Sequence, residues 1–367
     1  MKVLFFANKM PDLCGAFLHD IDLALELQKR GHQVVFLTIR KPREGYNGAT
    51  YRGFRFLHYS AATSFLDSSE IWICPHSPVL PSVRKLNARG YNRPIFFTCH
   101  YDGSYDAVTT NTGSGWKEMA GFINKIMEPN YRRILPPNVS RTEVVRPIMH
   151  REKIFISEPF QGDSITFINA NLNKGLVQFL DLAKRMPDRK FLGVLAYYGE
   201  LGTPIAPSNV TWVPFDDDVR NILKRTRILL VPSSYESFGR VAVEAMINGI
   251  PVLYALTGNP PPRTHGLHEW IQPAGIGCNR DIISEWEEAV LQLDDPNIYA
   301  KRSQQSKDHI DSINLFTEAT RIGQLVEEFS RDNPVAVRSS TAVLPAQRSA
   351  ASPQQKAHRC SMDAPRS

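Results

Sequence analysis

Short apolar runs alternate with stretches of helical periodicity along the first part of the chain. Residues 2–7 form an apolar run that predicts a buried strand, and residues 33–38 predict a second one. Between them, the apolar positions of residues 17–27 recur at helical spacing, and Gly31 is the residue type expected just after a helix ends. This order predicts a parallel pair of strands with a right-handed crossover. Further strands are predicted at residues 71–74 and 95–98.

The second part of the chain repeats this alternation. Apolar runs predict five strands, at residues 164–168, 190–195, 210–213, 227–231 and 251–254. Helices are predicted at residues 175–186, 217–225 and 237–248, with charged helices over 281–331. The whole pattern predicts an α/β fold with two Rossmann-like, doubly wound parallel-sheet domains.

Length and composition agree with two domains. The chain has 367 residues, 42% of them hydrophobic, which is too much for one compact core of ordinary size. We expect an N-terminal domain over residues 1–155 and a C-terminal domain over 156–331, whose last helix could pack back on the N-terminal domain. Residues 332–367 are rich in Pro, Ser, Ala, Gln and Arg without periodicity, so they are expected to be a disordered tail.

The net charge is concentrated at the end of the chain. The formal charge is +6 with a pI near 9.0, and the six basic and two acidic residues from Arg331 to Ser367 supply four of these charges. The remainder lacks a dense basic stripe, so we expect no nucleic-acid partner. A local basic cluster could face an anionic acceptor or a lipid surface, or be a solvated linker surface. It consists of Arg132, Arg133, Arg141, Arg146, Arg151 and Lys153.

Cysteine usage and hydropathy indicate a cytoplasmic protein. The five cysteines are far apart and form no Cys-x-x-Cys pair, which disfavours a zinc site or a disulfide framework and fits a reducing compartment. The apolar start is shorter than a secretion signal, and no stretch approaches the roughly 20 apolar residues that span a bilayer. We therefore expect a cytoplasmic location, with peripheral contact at the inner face of a membrane as an open alternative.

Two glutamates are the strongest candidates for ligand binding. Glu236 and Glu244 lie eight residues apart, directly after the strand predicted at residues 227–231. If both lie on a helix, about 12 Å of rise separates them, so they could hold opposite ends of one elongated polar ligand. The amides of Ser237, Phe238 and Gly239 would face the space between, where a diphosphate could bind at the helix N-terminus. The alternative interpretation is a solvated helix that happens to be acidic.

Three further candidates follow predicted strands, where ligands collect in open parallel sheets. Lys174 could neutralise a phosphate, with Gly175 letting the next helix begin close to it, or Lys174 could be an ordinary surface residue. Gly15 follows the first strand, where a small residue lets the backbone approach a phosphate, or it belongs to a flexible loop. His100 ends another strand and could face the cleft, or be a structural histidine.

The acidic run and the histidines of the sequence do not predict a metal site. The run Asp216-Asp217-Asp218 precedes residues 219–223 in helical spacing, and Asp is favoured at helix N-caps, so we assign the run to capping. His265 and His268 lack a third ligand at a plausible zinc spacing. We expect no bound metal and no cofactor.

A set of motifs together resembles a known enzyme family. In the second half they are Val231-Pro232-Ser233, Glu236-Ser237-Phe238-Gly239, Glu244-Ala245-Met246 and Gly249-Ile250-Pro251-Val252. The set resembles the donor-site signature of family 4 glycosyltransferases, which have the GT-B fold with two Rossmann-like domains facing a central cleft. The resemblance extends more loosely to residues 27–34, 167–175 and 266–276.

The resemblance implies roles for residues of the second domain, which would bind the donor. Glu236 would contact the donor sugar and Glu244 the ribose. The amides of Phe238 and Gly239 would bind the distal phosphate, and Lys174 would neutralise the diphosphate. The donor would then be a nucleotide diphospho-sugar.

The resemblance also implies roles for the segment beside the nucleotide base and for residues of the first domain. The first domain would hold the acceptor. Val213 and Pro214 match the segment that borders the nucleotide base. His100 matches a histidine close to the transferred sugar, and Gly15 matches the loop that faces the phosphates. On this basis, Glu236, His100 and Lys174 are the expected catalytic residues.

The chain departs from the family pattern at several positions. Many relatives have an arginine five residues before the lysine, where this chain has Asn169, so the charge could be missing or come from Arg240 or Arg263. The loop before Gly266 is long and proline-rich, which leaves the contact of Glu269 open.

These observations and the resemblance predict a metal-independent glycosyltransferase, and the resemblance implies that it retains the anomeric configuration. It would move a sugar from a nucleotide diphospho-sugar to a hydroxyl of a glycan or lipid-linked glycan, as in polysaccharide or glycolipid synthesis. We favour attack by the acceptor hydroxyl on the face of the sugar from which the leaving group departs. The alternative is a double displacement with a covalent enzyme intermediate. The alternatives are a nucleotide-sugar hydrolase or epimerase on the same fold, and a catalytically silent binding subunit.

Overall fold

The computed structural model describes residues 1–8, 14–41, 48, 50–74, 79–100, 115–125, 127–133, 135–196, 202–257 and 266–335. Within them the chain forms two sheets, one from each half of the sequence. Both sheets are built from parallel pairs, apart from one antiparallel pair at an edge of the first. The predicted class, an α/β fold with two doubly wound domains, is confirmed.

The first sheet has eight strands in the order β3-β4-β2-β1-β5-β6-β7-β8. Its strands are β1 Lys2–Ala7, β2 Gln33–Thr38, β3 Thr50–Tyr51, β4 Phe54–His58, β5 Ile71–Cys74, β6 Ile95–Cys99, β7 Glu118–Phe122 and β8 Val139–Val144. The helices described in this half are α1 Gly15–Lys29, α2 Thr63–Ser68, α3 Leu80–Asn87, α4 Met127–Arg132 and α5 Arg151–Ile154.

The second sheet has six strands in the order β11-β10-β9-β12-β13-β14. Its strands are β9 Ser164–Ala170, β10 Phe191–Leu195, β11 Val210–Val213, β12 Thr226–Val231, β13 Val252–Leu256 and β14 Ile276–Asn279. The helices described here are α6 Leu176–Arg185, α7 Val219–Leu223, α8 Arg240–Met246, α9 Gly266–Ile271, α10 Ile283–Gln292, α11 Pro296–Ser312 and α12 Glu318–Asp332.

Each sheet is buried on both faces, as parallel sheets are. Along β1, Val3 and Phe5 join one apolar cluster while Leu4 and Phe6 join another on the opposite face. In the second sheet, β12 divides its apolar residues between two clusters in the same way. The continuous apolar runs that predicted buried strands therefore reflect sheets with two covered faces.

Five strands were missed in the sequence because their patterns are mixed: β3, β4, β7, β8 and β14. Strand β7 carries a fully buried charge, Glu118, which receives hydrogen bonds from Arg84 at 2.5 and 2.8 Å and from Trp116 Nε1 at 3.1 Å. Strand β8 is an edge strand in which none of the six residues is fully buried. A buried charge and a half-exposed edge both remove the apolar signal that marks a strand.

The helix predicted at residues 237–248 begins later than expected, and this corrects the geometry of the glutamate pair. Helix α8 starts at Arg240, and Gly239 before it has a left-handed backbone with φ +78°. Glu236 therefore lies in the loop after β12, and only Glu244 lies on the helix. Since α8 has seven residues, the pair is not separated by a helical rise.

The final helix connects the end of the described chain to the first domain. Helix α12 packs against α1, and its residues Ile322, Val326 and Phe329 lie in the same apolar cluster as Ile21 and Leu27 of α1. Most of the predicted disordered tail, residues 336–367, lies outside the described residues. Among the residues that the structure describes, no helix is long and apolar enough to cross a bilayer.

The basic cluster seen in the sequence is largely paired with carboxylates. Its ion pairs are Arg132–Glu128 at 2.9 Å, Arg141–Glu143 and Arg141–Glu328 at 3.1 Å, Arg146–Glu269 at 3.8 Å, Arg151–Asp311 at 2.6 Å and Lys153–Asp22 at 3.3 Å. This pairing reduces the positive charge that the cluster presents to a lipid surface.

Candidate functional site

A cleft between the two sheets contains two neighbouring cavities. The first cavity, of about 360 Å³, is lined by predicted site residues from both domains. They are Gly15, His100, Asn169, Lys174, Glu236, Ser237, Phe238, Gly239 and Arg240. The second cavity, of about 570 Å³, is lined by Glu244, and it shares Gly15, Asn169 and Arg240 with the first. Because they share these lining residues, the two cavities are parts of one cleft.

Glu236 is fixed at the first cavity by two hydrogen bonds to the same oxygen. Lys174 Nζ donates to Oε1 at 2.5 Å, and Ser233 Oγ donates to Oε1 at 2.7 Å. The residue is only 7% exposed, so an ionised carboxylate there requires such partners. Because both contacts use Oε1, Oε2 is the oxygen left to accept from ligand hydroxyls.

The turn after β9 places Lys174 beside Glu236. Residues Leu172–Lys174 form one 3-10 turn, which begins with the Asn171 side chain accepting from the Asn173 amide at 2.8 Å. Gly175 ends the turn with φ +94°, and a Cβ there would lie 2.3 Å from the carbonyl oxygen of Pro232. Only glycine lets this turn press against the loop that follows β12.

The loop from Ser237 to Gly239 is oriented through its carbonyl groups. Asn124 Nδ2 donates to the Ser237 carbonyl at 2.7 Å, and Trp270 Nε1 donates to the Phe238 carbonyl at 2.7 Å. In a trans peptide the C=O and the following N–H point in opposite directions. The amides of Phe238 and Gly239 therefore point away from Asn124 and Trp270, which leaves them available to an anion in the first cavity.

Glu244 provides a buried carboxyl at the second cavity. It is 8% exposed, and burial raises its pKa above the usual range, with a smaller opposing effect from Arg240. Its helix is tied to the interdomain linker by Asn248, whose side chain accepts from the Ile156 amide at 2.8 Å and donates to the Ile154 carbonyl at 2.9 Å. Such a carboxyl can accept hydrogen bonds from a pair of ligand hydroxyls.

Arg240 crosses the cleft between the domains. Its Nη1 donates to the Ile148 carbonyl at 2.7 Å, and its Nη2 donates to Asp22 Oδ2 on α1 at 3.1 Å. Asp22 was missed in the sequence analysis. A signal existed, because α1 carries buried His19, Asp20 and Asp22 within an otherwise apolar stretch, and buried charges of this kind need partners.

His100 lies against a buried polar pair on α1. Its ring meets that of His19 edge to face with centroids 5.3 Å apart, and the possible ligand atoms of His19, Asp20 and His100 lie within 4.8 Å of one another. Burial lowers the pKa of His19 to about 3 and raises that of Asp20 well above normal. The amide of Ile148 donates to His19 Nδ1 at 3.0 Å, so the neutral ring carries its proton on Nε2. This tautomer offers no nitrogen lone pair to a metal at that point.

The residues predicted to border a base lie slightly off the cleft. Val213 and Pro214 line neither cavity, whereas Phe215 and Asp216 to Asp218 line the second. The capping prediction is confirmed, because Asp218 is the N-cap of α7 and accepts from the Arg220 amide at 3.1 Å. Strand β11 ends at Val213, two residues before Phe215, which lines the second cavity.

One of the less certain candidates, Glu269, lines neither of the two cavities, and another falls outside the described residues. Glu269 accepts from the Lys125 amide at 3.1 Å and lies 3.8 Å from Arg146, so it connects the domains instead of lining the cleft. Arg263 lies outside the described residues. Asn169 lines both cavities at the end of β9, with a left-handed φ of +69°.

Comparisons with known proteins agree with this architecture. Residues 206–264 match the family model of glycosyl transferases group 1. A D-inositol 3-phosphate glycosyltransferase from Corynebacterium kroppenstedtii is 27% identical over 119 residues, which make up 32% of this chain and 25% of that relative. The chain therefore matches only a quarter of that relative's length.

Solved structures match nearly the whole chain. HepE from Anabaena, in complex with UDP-glucose, has a TM-score of 0.70 at 15% identity, covering 90% of this chain and 100% of HepE. Sucrose-phosphate synthase from Thermosynechococcus elongatus has a TM-score of 0.70 at 14% identity, with the same coverage. The chain thus has the GT-B fold, two parallel-sheet domains facing a cleft. Together with the matched segment at residues 206–264, this fold supports a relationship to the group 1 glycosyltransferases.

Proposed function

We propose that this protein is a retaining glycosyltransferase of family 4 type that takes a nucleotide diphospho-sugar as donor. The observation that carries the proposal is the contact of Lys174 and Ser233 with Glu236 at 2.5 and 2.7 Å, beside the Phe238 and Gly239 amides. A cation, a hydroxyl-accepting carboxylate and free amides in one cavity suit a sugar joined to a diphosphate.

The donor would extend from the first cavity into the second. Its sugar would lie between Glu236 and His100, and its diphosphate beside Lys174 and the two amides. The ribose hydroxyls would bind Glu244 in the second cavity. Each of these side chains lines the cavity that its role requires.

The proposed reaction breaks the bond between the sugar and the diphosphate and joins the same sugar carbon to an acceptor oxygen. Lys174 and the amides stabilise the charge on the departing diphosphate, the task that a metal ion performs in other transferases. The acceptor hydroxyl gives its proton to the leaving phosphate oxygen. Glu236 is not the nucleophile in this scheme, because two donors hold Oε1 and Oε2 accepts from the sugar hydroxyls.

We propose a hydroxyl of a glycan or lipid-linked glycan as acceptor and the cytoplasm as location. The acceptor would approach from the first domain, because Gly15 and His100 of that domain line the first cavity. The location is proposed from the scattered cysteines, which fit a reducing compartment. Peripheral membrane contact has weaker support, because the basic cluster is paired with carboxylates.

A two-stage experiment tests the proposal. A panel of nucleotide sugars in a thermal-shift assay would identify the donor, because a bound ligand raises the melting temperature. Transfer to candidate acceptors is then compared for wild type, Lys174→Ala and Glu236→Ala. Removing one preorganised stabilising group is expected to lower kcat about 100-fold or more.

Matched controls separate site effects from general ones. Lys184→Ala removes an exposed lysine of α6, and Glu288→Ala removes an exposed glutamate of α10, so both should transfer normally. Unchanged transfer by Lys174→Ala and Glu236→Ala would refute the site assignment. Sugar release without acceptor would indicate a hydrolase, and a glycosylated Glu236 in mass spectra would overturn the same-face reaction.

A further inference from the structure

Among the described residues that line the first cavity, where the diphosphate would lie, the lysine and arginine side chains are those of Lys174 and Arg240. Lys174 already pairs with Glu236 at 2.5 Å, and the position five residues before Lys174 holds the neutral Asn169. A diphosphate that departs from a sugar accumulates charge, and water-poor clefts need fixed cations or donors to stabilise it. A second cation is therefore required somewhere along the cleft.

Arg240 has the position to supply that cation. It is the residue next to Gly239, and it lines both cavities, so it lies between the proposed sugar and ribose ends of the donor. The backbone of Gly15 approaches it from the first domain, since a Cβ on Gly15 would lie 3.7 Å from Arg240 Cδ.

The guanidinium of Arg240 has donor capacity left. Nη1 and Nη2 bind the Ile148 carbonyl and Asp22, whereas the buried Nε has no hydrogen-bond partner within the described structure. A buried N–H without an acceptor is uncommon in proteins and points to an acceptor that is supplied by a ligand or by a changed rotamer.

Asp22 would keep a cationic partner if Arg240 turned toward a ligand. Its side chain is 4% exposed, and Lys153 Nζ lies 3.3 Å from Oδ1, with His150 Nε2 3.7 Å from the same oxygen. Lys153 keeps this carboxylate paired with a cation, whereas burial lowers the pKa of His150 and disfavours a charge on that ring. The release of Arg240 therefore does not leave Asp22 without a cation.

We propose that Arg240 is the diphosphate-binding arginine of this chain, and that it exchanges the carboxylate of Asp22 for the donor's diphosphate. Asp22 thereby competes with the donor and sets its affinity. This inference rests on the proposed function, because it assumes a diphosphate in the cleft. The second cation for the diphosphate is thus Arg240, a residue of the second domain that is bound to Asp22 of the first domain.

Inorganic pyrophosphate is the probe, because it needs neither the right base nor an acceptor. Its affinity is measured by isothermal titration calorimetry for wild type, Arg240→Gln, Asp22→Asn and the double variant. Arg240→Gln should weaken binding about tenfold, because a charge-assisted hydrogen bond is lost. Asp22→Asn should tighten binding about fivefold, because the competing charge is removed while the side-chain shape is kept.

The double variant tests whether Asp22 acts through Arg240. Without the guanidinium, the gain from Asp22→Asn should shrink to less than about half. An equal gain in both backgrounds would overturn the exchange, and so would weaker binding by Asp22→Asn alone. If Arg240→Gln alone fails to fold, the double variant, which removes both charges together, is compared with Asp22→Asn, and its pyrophosphate affinity should be at least about tenfold weaker.

Further controls distinguish this inference from the proposed function. Arg151→Ala removes the same charge from an exposed pair with Asp311, and its pyrophosphate affinity should equal that of wild type. If wild type transfers sugar and Arg240→Gln binds pyrophosphate as wild type does, the inference is wrong and the function stands. If wild type binds neither pyrophosphate nor any nucleotide sugar, the proposed function itself fails.

Discussion

Two glutamates with a simple sequence spacing occupy different environments. Glu236 lies in a loop, where Lys174 and Ser233 compensate its charge, whereas Glu244 lies on α8, where burial raises its pKa. Short hydrogen bonds position Glu236, whereas Glu244 is buried beside the second cavity. A hydrogen bond from a ligand hydroxyl to ionised Glu244 should therefore be stronger than the same hydrogen bond in water.

Replacing Glu244 by Gln should separate binding from stability. The raised pKa means that ionised Glu244 opposes folding above the pKa of the unfolded chain, so Glu244→Gln should melt at a higher temperature near pH 8. That advantage should vanish below about pH 4, where the carboxyl is neutral in both states. Donor affinity should fall about tenfold, because a hydrogen bond to a charged group is weakened.

Differential scanning fluorimetry across pH and calorimetry with the identified donor check both effects. Glu288→Gln changes an exposed glutamate and should alter neither quantity. A loss of thermal stability in Glu244→Gln near pH 8 would contradict the role of burial, and unchanged donor affinity would contradict the ribose contact.

Residues next to strand ends were predictable, whereas contacts between distant segments were not. Lys174 and Glu236 each follow a strand, and parallel topology brings such positions to one edge. The Arg240–Asp22 pair joins residues 218 positions apart on different domains. Its existence depends on how the domains face each other, which no local pattern encodes.

At the scale of elements, two turns with left-handed glycines bring the site together. Gly175 ends the 3-10 turn after β9, and Gly239 precedes α8 after β12. Strands β9 and β12 are neighbours in the sheet, so the turns meet at the same edge. The sequence predicted both strands, but not the loop conformation at Glu236, because a single glycine such as Gly239 is tolerated within a helical pattern and does not mark a stop by itself.

Gly175→Ala should damage both stability and donor use. A Cβ would lie 2.3 Å from the Pro232 carbonyl oxygen, in addition to the strain of φ +94°. The free energy of unfolding should fall by about 3 kcal/mol, and the KM for the donor should rise because Lys174 is displaced.

Gly90→Ala is a matched control for the backbone strain alone. Gly90 has φ +103°, but nothing lies within 4 Å of its added Cβ, so about 1 kcal/mol is expected with no change in KM. Urea unfolding and donor titration compare the two variants. Equal losses in both would show that the contact with Pro232 has no role.

At the scale of the whole molecule, several connections hold the two domains around the cleft. Helix α12 returns from the second domain to α1, Asn124 binds the carbonyl of Ser237, and Tyr51 donates to Asp217 Oδ1 at 2.9 Å. The cleft geometry therefore depends on contacts far from its cavities. Sequence patterns predicted two domains and a last helix that could pack back on the first, but not the contacts of Asn124 and Tyr51 with the second domain.

The anchor of α12 leads to a prediction about acid stability. Glu327 on α12 accepts from Arg30 Nε at 2.9 Å and lies 2.7 Å from His32 Nε2, and the hydrogen bond with Arg30 is the main reason that its pKa is lowered to about 2. The side chain is 22% exposed, so solvent screens the pair. At pH 7, Glu327→Gln should lower the free energy of unfolding by about 1 kcal/mol.

The pH dependence follows from the direction of that shift. A lowered pKa stabilises the fold fully above the unfolded value, about pH 4.3, and the stabilisation is lost as the pH falls toward 2. The gap in melting temperature between wild type and Glu327→Gln should therefore be present above about pH 4.3 and close progressively below it. Scanning calorimetry from pH 7 to pH 3 measures it, with Glu288→Gln as the control that shows no gap. A gap that widens as the pH falls below about 4.3 would contradict the stabilising role of the ionised Glu327, and with it the anchoring of α12 to the first domain through Arg30.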